Sequence, residues 1–215
     1  MKISDIKATV YDFFAYILPG LIFVFLGYIQ YRHFQNYWDI NENINIFCSF
    51  LDFKGSLMLL LLSYLLGHLL SSLSSLVVEK NIFLKINFLS KGLQDKNQIS
   101  SKLFKCFSDK YIKVFNKDYE SKDIRSVICY VESKQPAVYS TAFVFLSFYG
   151  MARSIAFSFS LFFISEMVNL LVKYSIWGLF YTGGALVVSL IFYYEYNRFF
   201  RYFRQEILSG FLLPE

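Results

Sequence analysis

Four long apolar runs, each free or nearly free of charged residues, constrain this chain more than any other feature. They cover residues 13–31, 55–78, 154–172 and 174–194. About 20 apolar residues are needed to cross a hydrocarbon core that is roughly 30 Å thick, and all four runs are close to that length. A hydrophobic content of 56% is also too high for an ordinary soluble domain. The sequence therefore predicts an all-α membrane protein with four transmembrane helices, forming one membrane domain over residues 1–215.

The distribution of basic residues predicts the orientation of these helices. Most of the lysines and arginines lie between residues 79 and 139, in the one long polar stretch between the second and third runs. Cytoplasmic segments of membrane proteins carry an excess of Lys and Arg. We therefore expect a multi-pass protein of the cell inner (cytoplasmic) membrane, with both termini and the 79–139 insertion in the cytoplasm.

Apolar residues at helical spacing predict that the insertion contains two amphipathic helices. The two sets are Phe104, Phe107, Tyr111 and Phe115, followed by Ile124, Val127, Ile128 and Val131. Two short helices bury too little surface to be stable alone, so we expect them to rest on each other, on the membrane or on a partner. The net basic insertion suits anionic inner-membrane lipid or an acidic partner. Its lysines are spread along the sequence, so no direct nucleic-acid contact is expected.

Small residues recur every four positions in the second and third apolar runs and form stripes on one helix face. They are Ser63, Gly67, Ser71 and Ser75, and Gly150, Ser154 and Ser158. Small residues let membrane helices approach closely. These stripes predict helix packing and a homo-oligomer.

Pro19 and Gly20 interrupt the first apolar run. Proline removes a backbone donor and clashes with the preceding turn, so a kink or a new start is expected there. The pair is either a tolerated irregularity of a membrane helix or a hinge that lets the cytoplasmic end move.

Two ionisable side chains fall inside the apolar runs. Ionisable groups in lipid are functional candidates because they are expensive to bury. His68 is either a neutral histidine bonded to a neighbouring helix or a pH-sensitive, pore-lining group. Glu166 either reaches the outer interface or faces the bundle interior, where it would meet His68 or an external cation.

Arginines mark the cytoplasmic boundary of the third and fourth runs. Arg153 is expected to extend its head group to the inner interface. Arg198, Arg201 and Arg204 alternate with aromatic residues. That pattern favours a membrane anchor, in which the cations meet anionic lipid and the aromatics insert, over a clamp for nucleic acid.

Signatures of catalysis are missing from the sequence, which lacks a glycine-rich phosphate loop, a nucleophile elbow and paired metal ligands. We therefore expect no enzyme activity, no cofactor and no metal. Of the three cysteines, Cys48 is predicted to be external, whereas Cys106 and Cys129 are predicted to lie in the reducing cytoplasm, so no disulfide framework is expected.

Three short motifs resemble those of small four-span membrane proteins that accompany prokaryotic antiviral defence systems. They are residues 12–20 (DFFAYILPG), residues 64–71 (YLLGHLLS) and Arg153 within an Ala-Arg-Ser sequence. Similar cases are the membrane subunit of the Kiwa system, which we favour, and the membrane accessory of type VI-B CRISPR loci. The resemblance implies an inner-membrane protein that assembles with copies of itself and works with a soluble cytoplasmic partner that binds DNA and acts against phage.

Two functions are consistent with these features. The first is a membrane component of an anti-phage defence system, which senses perturbation of the envelope and recruits or regulates a soluble cytoplasmic effector encoded nearby. The alternative is an oligomeric pore that depolarises the inner membrane, with Ser63, Ser71, Ser75 and His68 along an aqueous path.

Overall fold

The structure, a computed structural model, describes residues 11–35, 37–49, 52–79, 101–117 and 124–213, and most of these residues are helical. These ranges contain no strand, which confirms the all-α class. Four helical segments are long and apolar enough to cross a membrane: Phe13–Phe34, Phe53–Val77, Pro136–Val172 and Ile176–Leu212. The chain is thus a multi-pass membrane protein with a helical insertion. Residues 80–100 of that insertion lie outside the described ranges.

Seven α-helices are described. They are α1 (Leu18–Phe34), α2 (Ile40–Ser49), α3 (Phe53–Ser74), α4 (Ser101–Phe115), α5 (Ile124–Lys134), α6 (Pro136–Val172) and α7 (Ile176–Leu212). A π-helical turn, Phe13–Ile17, precedes α1, and a second, Ser75–Glu79, follows α3.

The ends of these helices follow from local chemistry. The carboxylate of Asp52 accepts the backbone N–H of Gly55 at 2.6 Å and so caps α3. Asn116 ends α4 with φ at 54°, a left-handed conformation that asparagine tolerates at a helix C-terminus. Pro136 opens α6, where its missing N–H needs no partner.

The chain divides into two compact units, whereas the sequence predicted one membrane domain. The membrane unit comprises Met1–Phe83 and Ser147–Tyr196, and the insertion unit comprises Leu84–Leu146 and Asn197–Glu215. Each of the two longest helices, α6 and α7, contributes residues to both units.

The core of the insertion unit is apolar and draws on α4, α5, the first turns of α6 and the last turns of α7. Its buried members are Phe107, Tyr111, Val127, Val131, Ala142, Phe203, Ile207, Leu208 and Phe211. The two insertion helices therefore rest on each other, one of the arrangements expected from the sequence. They also pack on the C-terminal part of α7, a contact that the sequence did not predict.

The membrane unit has apolar residues outside and small or polar residues inside. On α3, Met58, Leu61 and Leu65 are exposed, while Ser63 and Gly67 are buried. Water would favour the opposite arrangement, whereas hydrocarbon solvates leucine as well as a protein core does. This distribution is the one expected of a helix bundle that lies in lipid.

Candidate functional site

Two glycines mark a close contact in the membrane unit, where α3 crosses α1 and the π-helical turn that precedes α1. A Cβ atom added to Gly20 would lie 2.6 Å from the carbonyl carbon of Ser63. A Cβ added to Gly67 would lie 2.6 Å from the carbonyl carbon of Tyr16. Since carbon atoms ordinarily touch at about 3.5–4.0 Å, only glycine fits at either position. The crossing therefore depends on direct contact between two backbones.

The predicted hinge lies in this crossing. Pro19 and Gly20 are both buried and occupy the first turn of α1. The helix does not break there, because the preceding residues form a π-helical turn in which Leu18 donates its N–H to the carbonyl of Phe13. A wider turn of this kind accommodates a proline without ending the helix. Bending at Pro19–Gly20 would therefore require the contact with α3 to open.

The guanidinium of Arg153 joins α6 to the small-residue stripe of α3. Its Nε donates to the Ser74 hydroxyl at 3.2 Å, and one terminal nitrogen donates to the Ser71 hydroxyl at 3.1 Å and the Ser71 carbonyl at 3.2 Å. The ring of Tyr149 lies 5.5 Å from the guanidinium carbon. Arg153 is only 8% exposed. The structure thus replaces the expected interfacial anchor with an interhelical clamp, because the serines offer acceptors that apolar side chains lack.

The rest of the predicted packing residues also lie against other parts of the same chain. Ser63 and Ser154 are fully buried, Ser158 donates to the Ser154 carbonyl at 2.9 Å, and a Cβ on Gly150 would touch that of Ala15. Ser75 is half-buried. These stripes pack helices within one protomer, so the faces that bury them are not open to a second copy.

His68 and Glu166 do not meet each other. His68 is half-buried and stacks on the ring of Tyr16, with centroids 3.7 Å apart and planes 19° apart. The rings of His68 and Tyr64 also meet in a T-shaped arrangement, with centroids 4.6 Å apart. Its partners are thus aromatic, and they lie on the π-helical turn before α1 and on α3.

Glu166 instead pairs with a histidine that the sequence did not single out. Its Oε1 lies 2.9 Å from Nδ1 of His33, and both side chains are fully buried. The His33 ring stacks on Trp38 at 4.5 Å and contacts Tyr181 at 4.3 Å. The Tyr181 hydroxyl donates to the carbonyl of Trp38 at 3.0 Å. Four segments, α1, residues 37–39, α6 and α7, therefore enclose one ionisable pair.

Helix periodicity could have identified His33. The first apolar run ends at Tyr31, two residues before His33, but α1 continues to Phe34. His33 lies on the same helix face as Leu26 and Ile29, which are buried. Its position on that face, and not its distance from the apolar run, determines its burial.

The predicted C-terminal anchor belongs to the insertion unit. Arg198 and Arg204 are exposed and Arg201 is half-buried. Arg198 donates to the hydroxyl of Tyr202 at 3.0 Å. Phe203, which was expected to insert into lipid, is buried in the core of the insertion unit because it lies on the inner face of α7.

The insertion unit also carries an open groove of about 650 Å³ along α5. The groove is lined by Phe115, Arg125, Ser126, Cys129, Tyr130 and Ser133. Its lining combines aromatic rings with serine hydroxyls and the exposed guanidinium of Arg125. Among the residues that the structure describes, no three His, Cys, Asp or Glu side chains converge to hold a metal ion.

No protein-family model, curated protein or solved structure matches the chain.

Proposed function

We propose that this chain is the membrane component of a bacterial anti-phage defence system, which responds to perturbation of the envelope and recruits or regulates a soluble, DNA-binding effector in the cytoplasm. The antiviral setting follows from the resemblance of the three short motifs. The adaptor role has separate support from the architecture of the chain.

The observation that carries the adaptor role is the folded insertion unit. Phe211, Ile207 and Phe203 of α7 complete the core that α4 and α5 begin. The same helix, α7, contains one of the four segments that are apolar enough to span a membrane. A helix that is able to span a membrane thus supplies part of the core of the insertion unit. Such a chain is suited to carry a response from lipid to a soluble protein.

The surface of the insertion unit is basic, which suits an acidic partner surface. Lys105, Lys113 and Arg125 are exposed on α4 and α5, against Asp109 and Glu132 on the same two helices. Arg125 lies at the groove along α5. Complementary charge raises the rate and the specificity of association between proteins, so we assign this surface to the effector.

A pair of charge-reversal variants tests the assignment. The variant Lys113→Glu/Arg125→Glu changes two exposed residues of the insertion unit. Its matched control, Lys54→Glu/Lys173→Glu, makes the same change in charge at two exposed residues of the membrane unit. Each tagged protein is expressed with its neighbouring genes. The amount of effector that co-purifies is measured relative to the amount of tagged protein, and the efficiency of phage plating is determined on the same cells.

The first variant should lose most of the effector and the protection against phage, and the control should keep both. Equal retention of the effector by both variants would contradict the role of the basic surface. If the unmodified protein binds the effector but gives no protection against phage, this result would contradict the antiviral function.

The alternative, an oligomeric pore, has less support. Ser63 is fully buried and Ser71 accepts two bonds from Arg153. His68 stacks on Tyr16. Three of the four groups expected along an aqueous path are therefore engaged within the protomer.

A further inference from the structure

The short helix α2 is held against α1 by a buried amide. Asn43 is fully buried. Its Oδ1 accepts the Nε–H of Arg32 at 2.7 Å, and its Nδ2 donates to the carbonyl of Tyr37 at 3.2 Å. A buried polar group is costly unless it is hydrogen-bonded, so these two bonds keep Asn43 turned towards α1. They thereby fix the rotation of α2 about its own axis.

The ring of Phe47, near the end of α2, reaches well below the end of α1. It meets the rings of Phe25 and Tyr28, with centroids 5.3 and 5.4 Å apart. These two residues precede Phe34, the last residue of α1, by nine and six positions, which corresponds to about 13 and 9 Å along the helix axis. Helix α2 therefore lies alongside a membrane-spanning segment and does not project away from its end.

Exposed aromatic residues mark the membrane boundary at this end of the membrane unit. Tyr31, Tyr37 and Trp177 are all exposed, and Tyr and Trp concentrate at membrane–water interfaces. The Nζ of Lys173, just before α7, lies 3.5 Å from the carbonyl of Phe34, so α7 begins where α1 ends. The hydrocarbon core is thus expected to end near the last turn of α1, which places the ring of Phe47 at the depth of the acyl chains.

Apolar and polar residues lie on different sides of α2. Ile40 and Ile44 are 45% and 40% exposed, although they are apolar. Two sets of three residues each follow the i, i+4, i+7 spacing of one helix face: Ile40, Ile44 and Phe47, and Asn41, Asn45 and Cys48. Because the first set includes Phe47, its exposed isoleucines belong to the side of α2 that reaches towards the acyl chains.

The charges of this segment are compensated locally. Glu42, the one charged residue of α2, pairs with Arg32 at 2.9 Å. Asp39, which precedes the helix, accepts the N–H groups of Asn41 and Glu42. Lysine and arginine, which attract other amphipathic helices to anionic lipid, do not occur in the sequence of α2. Apolar contact is therefore the interaction that this helix offers to a membrane.

We propose that α2 is an interfacial helix whose apolar face binds the lipid leaflet at this end of the membrane unit. Acyl chains cover Ile40 and Ile44, and Asn41 and Asn45 lie in the headgroup layer. Interfacial helices typically bury their apolar face about 5–10 Å into the boundary between headgroups and acyl chains, which agrees with the depth of Phe47.

Lipid is the occupant that the surroundings of α2 favour. The chain enters α2 from α1 and leaves it towards α3, and the start of α3 carries exposed apolar residues, Phe53 and Leu57. The isoleucines of α2 thus lie at the same end as the surface that the bundle presents to lipid. This inference does not rest on the adaptor role, because it uses contacts of the membrane unit alone.

Spin labels at neighbouring positions of α2 test the proposal. In the full chain the three exposed cysteines, Cys48, Cys106 and Cys129, are replaced by serine. A single cysteine is then introduced by Ile44→Cys or by its matched control Asn45→Cys, labelled with a nitroxide and reconstituted into phosphatidylcholine vesicles. Oxygen concentrates among acyl chains and a nickel chelate stays in water, so the ratio of their collision rates with the label reports its depth.

We expect the ratio of oxygen to nickel collisions to be higher for Ile44→Cys than for Asn45→Cys, although the two positions are adjacent. The pair Ile40→Cys and Asn41→Cys should differ in the same direction, because the helix repeats after four residues. Replacing part of the phosphatidylcholine by phosphatidylglycerol should leave all four ratios unchanged, since α2 has no cation to attract an anionic headgroup.

Three results would overturn the proposal. Equal ratios at adjacent positions would mean that water surrounds α2. Low collision rates of both reagents with Ile44→Cys would mean that protein, such as a second copy of the chain, covers this face. A ratio that rises only with phosphatidylglycerol would mean that charge, and not apolar contact, holds the helix. If circular dichroism shows that Ile44→Cys does not fold, the pair Ile40→Cys and Asn41→Cys decides the same question.

Discussion

Substitution of Gly67 by alanine tests whether the membrane unit depends on backbone contact between α3 and the π-helical turn that precedes α1. The new Cβ would lie 2.6 Å from the carbonyl carbon of Tyr16 and 2.8 Å from its Cα. The carbonyl oxygen of Tyr16 would lie closer still to the new Cβ. Carbon atoms ordinarily meet at about 3.5–4.0 Å, so the two backbones must separate by at least about 1 Å. Overpacking of this kind typically costs about 1–3 kcal/mol.

A matched control separates packing from helix propensity. Glycine to alanine within a helix stabilises by about 0.5–1 kcal/mol wherever there is room. Gly183 lies inside α7, and a Cβ there would meet nothing within 4 Å. The propensity gain is common to Gly67→Ala and Gly183→Ala, so the difference between the two variants isolates the packing cost.

Unfolding in mixed detergent micelles, with increasing SDS and followed by circular dichroism, measures this difference. We expect Gly183→Ala to be as stable as the unmodified protein or slightly more so, and Gly67→Ala to be less stable than Gly183→Ala by about 1–3 kcal/mol. Equal stability of the two variants would refute the reasoning, because it would mean that the backbones of α3 and the π-helical turn before α1 do not touch at Gly67.

Three further substitutions or labels give separate tests. Arg153→Leu removes the hydrogen bonds that the guanidinium donates to Ser71 and Ser74 and should lower the free energy of unfolding by about 1.5–3 kcal/mol. Arg153→Lys should lower it less, and an equal decrease in both variants would argue against the clamp geometry. Phe211→Ala creates a cavity at a fully buried position of the insertion unit and should lower its free energy of unfolding by about 3–5 kcal/mol, detected as faster proteolysis of α4 and α5. Its control, Phe180→Ala, changes a residue that is 70% exposed and should leave the rate of proteolysis unchanged. Cys48 and Cys106 are both exposed, and a membrane-impermeant maleimide added to intact cells should label only Cys48; labelling of Cys106 would reverse the predicted orientation.

The spanning helices and the insertion helices were predictable because their signals are local. Charge-free runs of sufficient length identify the four spans, and the spacing of Phe107 and Tyr111 identifies α4. Each of these signals is a property of one segment alone. The ends were less predictable, since α6 and α7 extend beyond the apolar runs into the insertion unit.

The partners of the polar residues were not predictable in this way. Glu166 was recognised as a candidate, yet its partner is separated from it by 133 positions in the sequence. Which faces of two helices meet is decided by packing of the whole bundle, and hydropathy does not encode it. The same reason explains Arg153, which sequence reasoning assigned to the interface and the structure assigns to Ser71 and Ser74.

The most direct test of the adaptor role is the mass of the complex purified from its native operon. The tagged chain is extracted in mild detergent, and native mass spectrometry measures the mass of every species that elutes with it. The proposed function, together with the self-assembly that the motif resemblance implies, predicts a multimer of the chain that carries a soluble protein, encoded next to it, in a fixed ratio. A multimer without any soluble protein would contradict recruitment by the insertion unit, and conductance recording would then test the pore.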